Sequence, residues 1–555
     1  MLTTDPSDVR RDGELPVDPA GRRGWRRLRG WAAAGLACDL VAIVAGALWC
    51  LRRGMDVSFD LLNYHFIYPW LVFHGGIGQV DPEPFTNRYV NPLAEMPWYL
   101  LDQALSPRMA TFAIALVAGL NLPLVRRITL RILPEHLGSS RRLLLSVAAM
   151  LLAATGAVFR TELGMSLADV IVSLPMLAAL LLVLQSLRGS HPVWRLALAG
   201  VLSGVAVGAK LTMAPYTAAL FLAVLVVAWR RRRWFLPLAA HVAGVAGGVA
   251  LSAGWWYWDL WRLTGNPMFP YYNGIFHSPL WPDTNLRDAR FGPHGLADAL
   301  QYPLYMAEGT RRLLDVPLRD PRWLVLAALG ALGLLVVLGR AARSRSLRFR
   351  PEPVMVMLFF VPSALAWLFQ FCIARYAVTT ELLVGPVLVL CLGVLTRRPV
   401  VTAGVAAALA LAMVPFTDIG QFRHVPFQTT RFQVEEAPLR AIPAGSVVIS
   451  DASSAPSSFL LAYLPPGVKR HVVHPWFWDT PVLERLQREQ LAVAPHVFVI
   501  EGYGGIQPAG MRRVRDKLGL AITRSGCVPV QSSTQTRWLC PATWVGLGHV
   551  AGSGS

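Results

Sequence analysis

A chain of 555 residues that is 54% hydrophobic and only 15% charged, with a mean hydropathy of +0.44, is too apolar for an ordinary water-soluble enzyme, in which about 25% of residues are charged. Its 19 Trp and 41 Pro exclude a coiled coil and a disordered chain. The formal net charge of +19 would suit a nucleic-acid partner, unless arginine gathers in one set of loops, where it records membrane orientation instead.

A bilayer core about 30 Å thick takes roughly 20 apolar residues per helix. Measured that way, a basic tail at 1–30 is followed by about eleven spans, near 31–51, 108–125, 143–159, 166–187, 193–209, 211–229, 235–256, 322–339, 354–372, 378–395 and 399–415. Arg22, Arg23, Arg26, Arg27 and Arg29 precede the first. Arg126, Arg127, Arg131, Arg141 and Arg142 lie between the second and third. Arg230 to Arg233 follow the sixth, Arg340, Arg343, Arg345, Arg348 and Arg350 the eighth, and Arg397 and Arg398 the tenth. If every span crosses, these clusters share one side, which the positive-inside rule makes cytoplasmic. The charge is therefore a topology signal, and no nucleic-acid partner is expected. The first span has no cleavage site after it and reads as retained.

The long connections at 52–107 and 257–321, and the segment 416–550, then all face outward. The inner loops are too short for a nucleotide-binding domain, and the chain has neither a GxxxxGK[ST] loop nor a Rossmann glycine fingerprint. An ATP-driven pump, or an enzyme taking a nucleotide sugar from the cytosol, does not fit.

The first outward loop reads Asp56-Val-Ser-Phe-Asp60-Leu-Leu-Asn63-Tyr64-His65, then Asn87-Arg88-Tyr89-Val-Asn91-Pro92. Asp60, Asn63 and Tyr64 recur at helical spacing, with Phe59, Leu62, Phe66 and Ile67 on another face, which predicts an amphipathic helix at the membrane surface. Cationic groups stand at the outer ends of spans: Arg375 beside Tyr376, Lys210 between spans five and six, Arg160 after span three, and Arg88 and His65 in the first loop. An Arg offers phosphate a two-pronged fork, whereas snorkelling to the interface is the ordinary role of such residues and the one expected of Arg160. Lys210 interrupts an apolar run and must be solvated or paired. Glu162 and Asp169 lie two helical turns apart at the start of span four, where both can look into one cavity, and Asp39 inside span one reads as structural. Trp255, Trp256, Trp258 and Trp261 read as an interfacial belt.

Beyond 416 the composition turns ordinary. Strands are expected at 446–450, 469–473 and 496–501, a helix in the Ser/Ala/Leu stretch between the first of these and Tyr463, a helix near 509–518, and a closing hairpin, which makes a small α/β domain. Cys527 and Cys540 stand alone in this segment, and an oxidising exterior favours their pairing. No metal-ligand spacing appears.

One cytoplasmic terminus, about eleven spans, a long first outward loop with an acidic residue just after span one, and an outward C-terminal domain together resemble the GT-C superfamily. These are integral membrane glycosyltransferases that use polyprenyl-phosphate-linked sugars. The stretch Gly265-Asn266-Pro267-Met-Phe269-Pro270-Tyr-Tyr-Asn273 resembles a recurring feature of bacterial members. The resemblance implies a GT-C-like α-helical polytopic membrane protein with a small extracytoplasmic α/β domain, lying in the bacterial inner membrane. It implies transfer of a hexosyl or pentosyl group to a cell-envelope glycan or lipid. Asp60 takes the place of the catalytic carboxylate, with Asp56 as understudy. Arg375, Tyr376, Lys210, Arg88 and His65 would hold the donor phosphate; Asn63, Tyr64, Asn91, Glu162, Asp169 and Asn266 would face acceptor or sugar. The residues call for no cofactor, and the resemblance leaves a divalent cation open. Two other readings are a flippase of lipid-linked sugars, which would show inverted repeats and broken helices, and a non-catalytic assembly protein working through the C-terminal domain.

Overall fold

The computed structural model describes residues 19–74, 85–188, 192–232, 234–344, 350–451, 456–474, 477, 479–502 and 516–546. In chain order the helices of the bundle and its loops are α1 (Pro19–Cys50), α2 (Ile67–His74), α3 (Met96–Ala104), α4 (Pro107–Gly119), α5 (Asn121–Ile132), α6 (Ser139–Ala154), α7 (Ala157–Glu162), α8 (Asp169–Ser186), α9 (Pro192–Ala209), α10 (Ala214–Arg230), α11 (Phe235–Thr264), α12 (Asn273–Phe276), α13 (Leu296–Glu308), α14 (Arg322–Ser344), α15 (Pro351–Gln370), α16 (Val378–Thr396) and α17 (Pro399–Met413). Among the described residues nine helices are long and apolar enough to cross a membrane. The expected spans near 143–159 and 193–209 correspond to α6, of 16 residues, and to the shorter apolar α9. The expected count of eleven is not confirmed: among the described residues nine helices have spanning length, and the other two expected spans fall on these shorter helices.

The tightest packing joins α9 and α11. Gly200, Gly204 and Gly208 on one helix face Gly244, Gly248 and Ser252 on the other, and a Cβ at Gly204 would lie 2.2 Å from the Val245 carbonyl oxygen. Small residues every fourth position let two backbones touch where lipid offers no hydrophobic drive for association. The pairing runs in parallel, as spans five and seven must if the one between them crosses. Elsewhere buried charges come in pairs. Asp39 in α1 receives both Nε and Nη2 of Arg126 at 2.6 Å. Arg322 is wholly buried, gripping Asp320 from Nε at 2.8 Å and lying 3.4 Å from Glu381. The Glu381 carboxylate accepts the first free N–H groups of α7, from Val158 and Phe159, at 3.0 Å each. These satisfy a helix start that would otherwise be orphaned.

The C-terminal segment forms strands β3 (Val447–Asp451), β4 (Lys469–Val473), β5 (Val497–Glu501), β6 (Leu520–Ile522), β7 (Val528–Gln531) and β8 (Thr536–Trp544). Before them β1 (Met55–Asp56) of the first loop pairs antiparallel with β2 (His424–Val425). The main sheet has the order β4-β3-β5-β8-β6, with β7 also on β8. β4, β3 and β5 are parallel; β8 runs against β5, and its far edge is shared end to end by β6 and β7. Two short helices, α18 (Ala437–Arg440) and α19 (Pro481–Leu486), flank it. A disulfide joins Cys527 to Cys540. Of the helix expected to run up to Tyr463, positions 452–455 lie outside the described residues, and the described part is a six-residue 3-10 turn, Ser458–Tyr463, because Pro456 and Ser457 compete with a regular helical ladder. Most of the helix expected near 509–518 lies outside the described residues.

Successive residues of β3 point to opposite faces, and the two faces have different partners. Val447 and Ile449 pack with Leu483, Leu486 and Val499 in a core of the segment's own. Val448 packs with Phe459, Val472 and Ile500 against Met55, Leu61, Leu62 and Phe66 of the first loop. The segment and the loop thus share one apolar core, and that core fixes the helix that carries Asp60.

Candidate active site

The Asp60 helix opens at Phe59 and widens to a π turn over Leu61–His65 before α2. Such a turn breaks the 3.6-residue register, so the expected common face of Asp60, Asn63 and Tyr64 is split. Asn63 is buried against the C-terminal segment, where its Oδ1 accepts from the Ser457 N–H at 3.3 Å and the Ser458 hydroxyl at 3.2 Å. Leu61, Leu62, His65, Phe66 and Ile67 are buried too, while Phe59 is exposed. The helix is a clasped element of the protein interior and not a surface float.

Asp60 looks the other way, into the bundle, and is ion-paired with Nη1 of Arg375. Arg375 sits on a 3-10 turn, Ala374–Ala377, that precedes α16. Three bonds pin that turn: the Tyr216 hydroxyl donates to the Tyr376 carbonyl at 2.6 Å, Trp367 Nε1 to the Ile373 carbonyl at 2.7 Å, and the Ala374 N–H to the Leu313 carbonyl at 2.7 Å. Arg375 Cζ is 5.3 Å from the Tyr376 ring centroid, and Lys210 Nζ is 5.4 Å from the same centroid. Lys210 in turn pairs with Asp169, the first residue of α8, at 2.6 Å. Four elements far apart in sequence thus deliver two carboxylates, two cations and one phenol ring to a single place.

Burial opposes charge on the Asp60 carboxyl, yet Arg375, His65 and a hydrogen bond from Tyr64 outweigh it and hold its pKa below the usual carboxylate value. The Tyr64 hydroxyl is pushed well above the ordinary phenol value, by burial first and by Asp60 second. Glu162 lies next to this group. Burial and then Asp169 push its pKa well above the usual carboxylate range, against the pull of Lys210, the Val170 N–H and Arg375. Glu162 Oε2 accepts the Val170 N–H at 2.9 Å; Oε1 is buried and lacks a hydrogen-bond partner among the described residues.

His65 Nδ1–H donates to the Ser166 carbonyl at 2.8 Å, leaving Nε2 4.0 Å from Glu95. Glu95, which electrostatically also reaches Lys210, was not singled out by the sequence, although it is an acidic residue of the first loop. The same holds for Asp288 and Arg290 of the 257–321 loop, which act on Arg375 and Tyr376 respectively.

The remaining candidates are engaged with partners of their own. Asp56, the understudy, is buried with Oδ1 accepting the Ser58 N–H at 2.8 Å and Oδ2 accepting both the N–H and the hydroxyl of Ser166, at 3.0 and 2.9 Å. It fastens the 163–168 connection. Asn91 donates to the carbonyls of Gly208 and Ser252 at 2.8 and 3.0 Å, tying the loop to α9 and α11. Asn266 donates to Tyr271 and Asn273 within its own loop. Arg88 is buried with its guanidinium 5.4 Å from the Tyr68 ring. Of the tryptophan belt, Trp258 and Trp261 are exposed, while Trp256 is buried and donates to the Tyr89 carbonyl at 2.9 Å.

Among the described residues no three His, Cys, Asp or Glu side chains converge as a metal cluster would require. Asp60 and Asp169 are each matched by a resident cation. Carboxylates already held by cations of their own chain do not fit a bound divalent cation.

A helical bundle of spanning length, capped by a loop-borne helix and an α/β segment clasped to it, with its charged cluster at the junction, is a GT-C-like fold. Among solved structures the chain is similar to ArnT from Cupriavidus metallidurans in the apo state, at 14% identity and a TM-score of 0.50, over 95% of this chain and 100% of that one. The same protein bound to undecaprenyl phosphate gives 14% identity and a TM-score of 0.49 over 95% and 99%. The Archaeoglobus fulgidus oligosaccharyltransferase in complex with Zn and sulfate gives 14% and 0.42 over 82% and 67%. No family profile matches the chain, and no curated protein matches it in sequence.

Proposed function

We propose that this protein is a membrane glycosyltransferase that moves a sugar from a polyprenyl-phosphate-linked donor to a hydroxyl of a cell-envelope glycan or lipid, at the outer face of a bacterial plasma membrane. The observation that carries the reading is the meeting of Asp60 with Arg375 and of Lys210 with Asp169 around one Tyr376 ring. The GT-C fold and the basic loops at the opposite ends of the helices support it.

The chemistry follows from the groups. The bond from the sugar's anomeric carbon to the phosphate oxygen breaks, and its electron pair stays with the leaving lipid phosphate. A bond forms from the acceptor oxygen to that carbon, and the acceptor's proton passes to Asp60 as general base. Arg375 and Lys210 stabilise the charge that grows on the phosphate. No second carboxylate is needed as acid, because the departing phosphate carries its own charge; a hydrolase would need a flanking pair. Asp56, Asn63 and Asn91 act from behind by fixing the Asp60 helix and the ends of α9 and α11, and Glu162 and Asp169 set the charge around Lys210.

The test is transfer from a polyprenyl-phosphate sugar in proteoliposomes. Asp60→Asn should lower turnover by roughly 10²-fold or more while the protein still folds and inserts, and chelators should leave native turnover unchanged. Near-native turnover in the Asn variant removes Asp60 from the mechanism, and lipid movement without bond formation favours a flippase.

A further inference from the structure

Both cations of the site are already engaged by carboxylates of the same chain, so two positive and two negative charges cancel before any ligand arrives. The two pairs differ in depth. Asp169 has 0% of its side chain exposed and Lys210 12%, whereas Asp60 and Arg375 keep 16% and 19%. Separating an ion pair is costly where both charges stay buried and cheaper where one of them gains another partner. Arg375 is the cation able to change partners, because a phosphate offers its fork the same bidentate geometry that a carboxylate does.

We propose that the donor binds by exchange: the lipid phosphate takes Arg375 from Asp60, and Asp60 is released toward the acceptor hydroxyl. This rests on the reading of the site as a lipid-phosphate site. The groups that face Asp60 are Arg375 from the 374–377 turn and His65 and Tyr64 from its own helix. While Arg375 is in place the carboxylate is a weak proton acceptor. Transfer of Arg375 to an anion removes a major stabiliser of the carboxylate and brings a like charge near, and both changes raise its affinity for a proton. The base therefore gains strength only when donor is present. Lys210 and Asp169 stay together as the fixed half of the site, with the Tyr376 ring against both the fixed cation and the exchanging one.

The exchange predicts an unusual sign. Removing the carboxylate should improve binding of the anion, since Asp60 competes with it for Arg375. The experiment titrates the full-length protein in detergent with undecaprenyl phosphate, read by native mass spectrometry, for the native chain, Asp60→Asn, Asp60→Ser, Arg375→Gln and the double variant Asp60→Asn with Arg375→Gln. Thermal unfolding certifies each fold, and the two Asp60 variants guard against one failing. The expected result is binding about tenfold tighter in both Asp60 variants, and weak binding whenever Arg375 is gone, with Asp60 then making no difference. If the Asp60 variants bind no better than the native chain while Arg375→Gln still loses affinity, the exchange is wrong and the lipid-phosphate site stands. If folded native protein does not bind undecaprenyl phosphate, or binds it as well without Arg375, the exchange and the site fall together.

Discussion

Replacing Arg431 by Met tests whether the C-terminal segment fixes the first loop. Arg431 Nε donates to Asp102 at 2.6 Å, Nη1 donates to the backbone carbonyl of Asp56 at 3.0 Å, and the guanidinium lies 4.8 Å from the Trp98 ring. Both side chains of the pair are buried, at 3% and 4% exposure. Removing one partner of such a pair costs about 3–5 kcal/mol, because the other charge stays buried alone. The ring contact adds about 1–2 kcal/mol. Asp102 limits the loss by taking a proton. Its pKa is already raised by burial, which Arg431 only partly offsets, and it rises further in the variant. A carboxyl with a folded-state pKa above its unfolded value contributes stability fully below the unfolded value and loses it as pH rises through the folded one. Arg431→Met should therefore be most destabilised near pH 8 and recover toward pH 5, by at most about 1.4 kcal/mol per pH unit. The assay is thermal unfolding of detergent-solubilised protein across that range. Adding Asp102→Leu should restore most of the stability and abolish the pH dependence. A single variant within about 0.5 kcal/mol of native at pH 8, or one that weakens toward acid, would refute the reasoning.

Three further outcomes are expected. Lys210→Met leaves Asp169 buried without its cation and should cost about 3–5 kcal/mol, whereas adding Asp169→Asn should recover much of it; equal stability in the single and double variants would contradict the pairing. Gly204→Leu should prevent α9 from seating on α11, since even a Cβ there lies 2.2 Å from the Val245 carbonyl, and the monodisperse yield in detergent should collapse; a normal elution profile would count against that packing. Replacing Cys527 and Cys540 by Ser removes a link across 13 positions that stabilises by about 3 kcal/mol. Unfolding of the C-terminal segment should move to lower temperature while undecaprenyl phosphate binding is kept, and loss of binding would show that the hairpin shapes the lipid site.

The helices and the charged cluster were the legible part of the sequence. A residue such as Lys210 or Asp169 in an apolar run has few options, so its presence announces a partner even when the partner is far away. Arg375 stood out in the same way. The Arg431–Asp102 pair could not be read, because its members are 329 positions apart and each stands in sequence that looks like ordinary surface. The register of the Asp60 helix was read too regularly: periodicity arguments assume 3.6 residues per turn, and the π turn at Leu61–His65 moved Asn63 away from Asp60. Asn91 and Asn266 carry a local signal of their own. Both precede proline, and both turn their Oδ1 to the N–H two residues on, Leu93 and Met268, at 3.0 and 2.8 Å. That Asn-Pro turn is a local backbone device, and it marks both residues as builders of loops. The strands were readable from their valine- and isoleucine-containing runs between turn signals, while their order and direction were not, since sheet order is set by which faces need covering and not by any one segment.

A structure of the protein with undecaprenyl phosphate bound is the most direct test. The account predicts the phosphate within hydrogen-bond reach of Arg375 and Lys210, beside the Tyr376 ring, with the Asp60 carboxylate no longer paired to Arg375. A phosphate seated elsewhere, with Asp60 and Arg375 still joined, would contradict it.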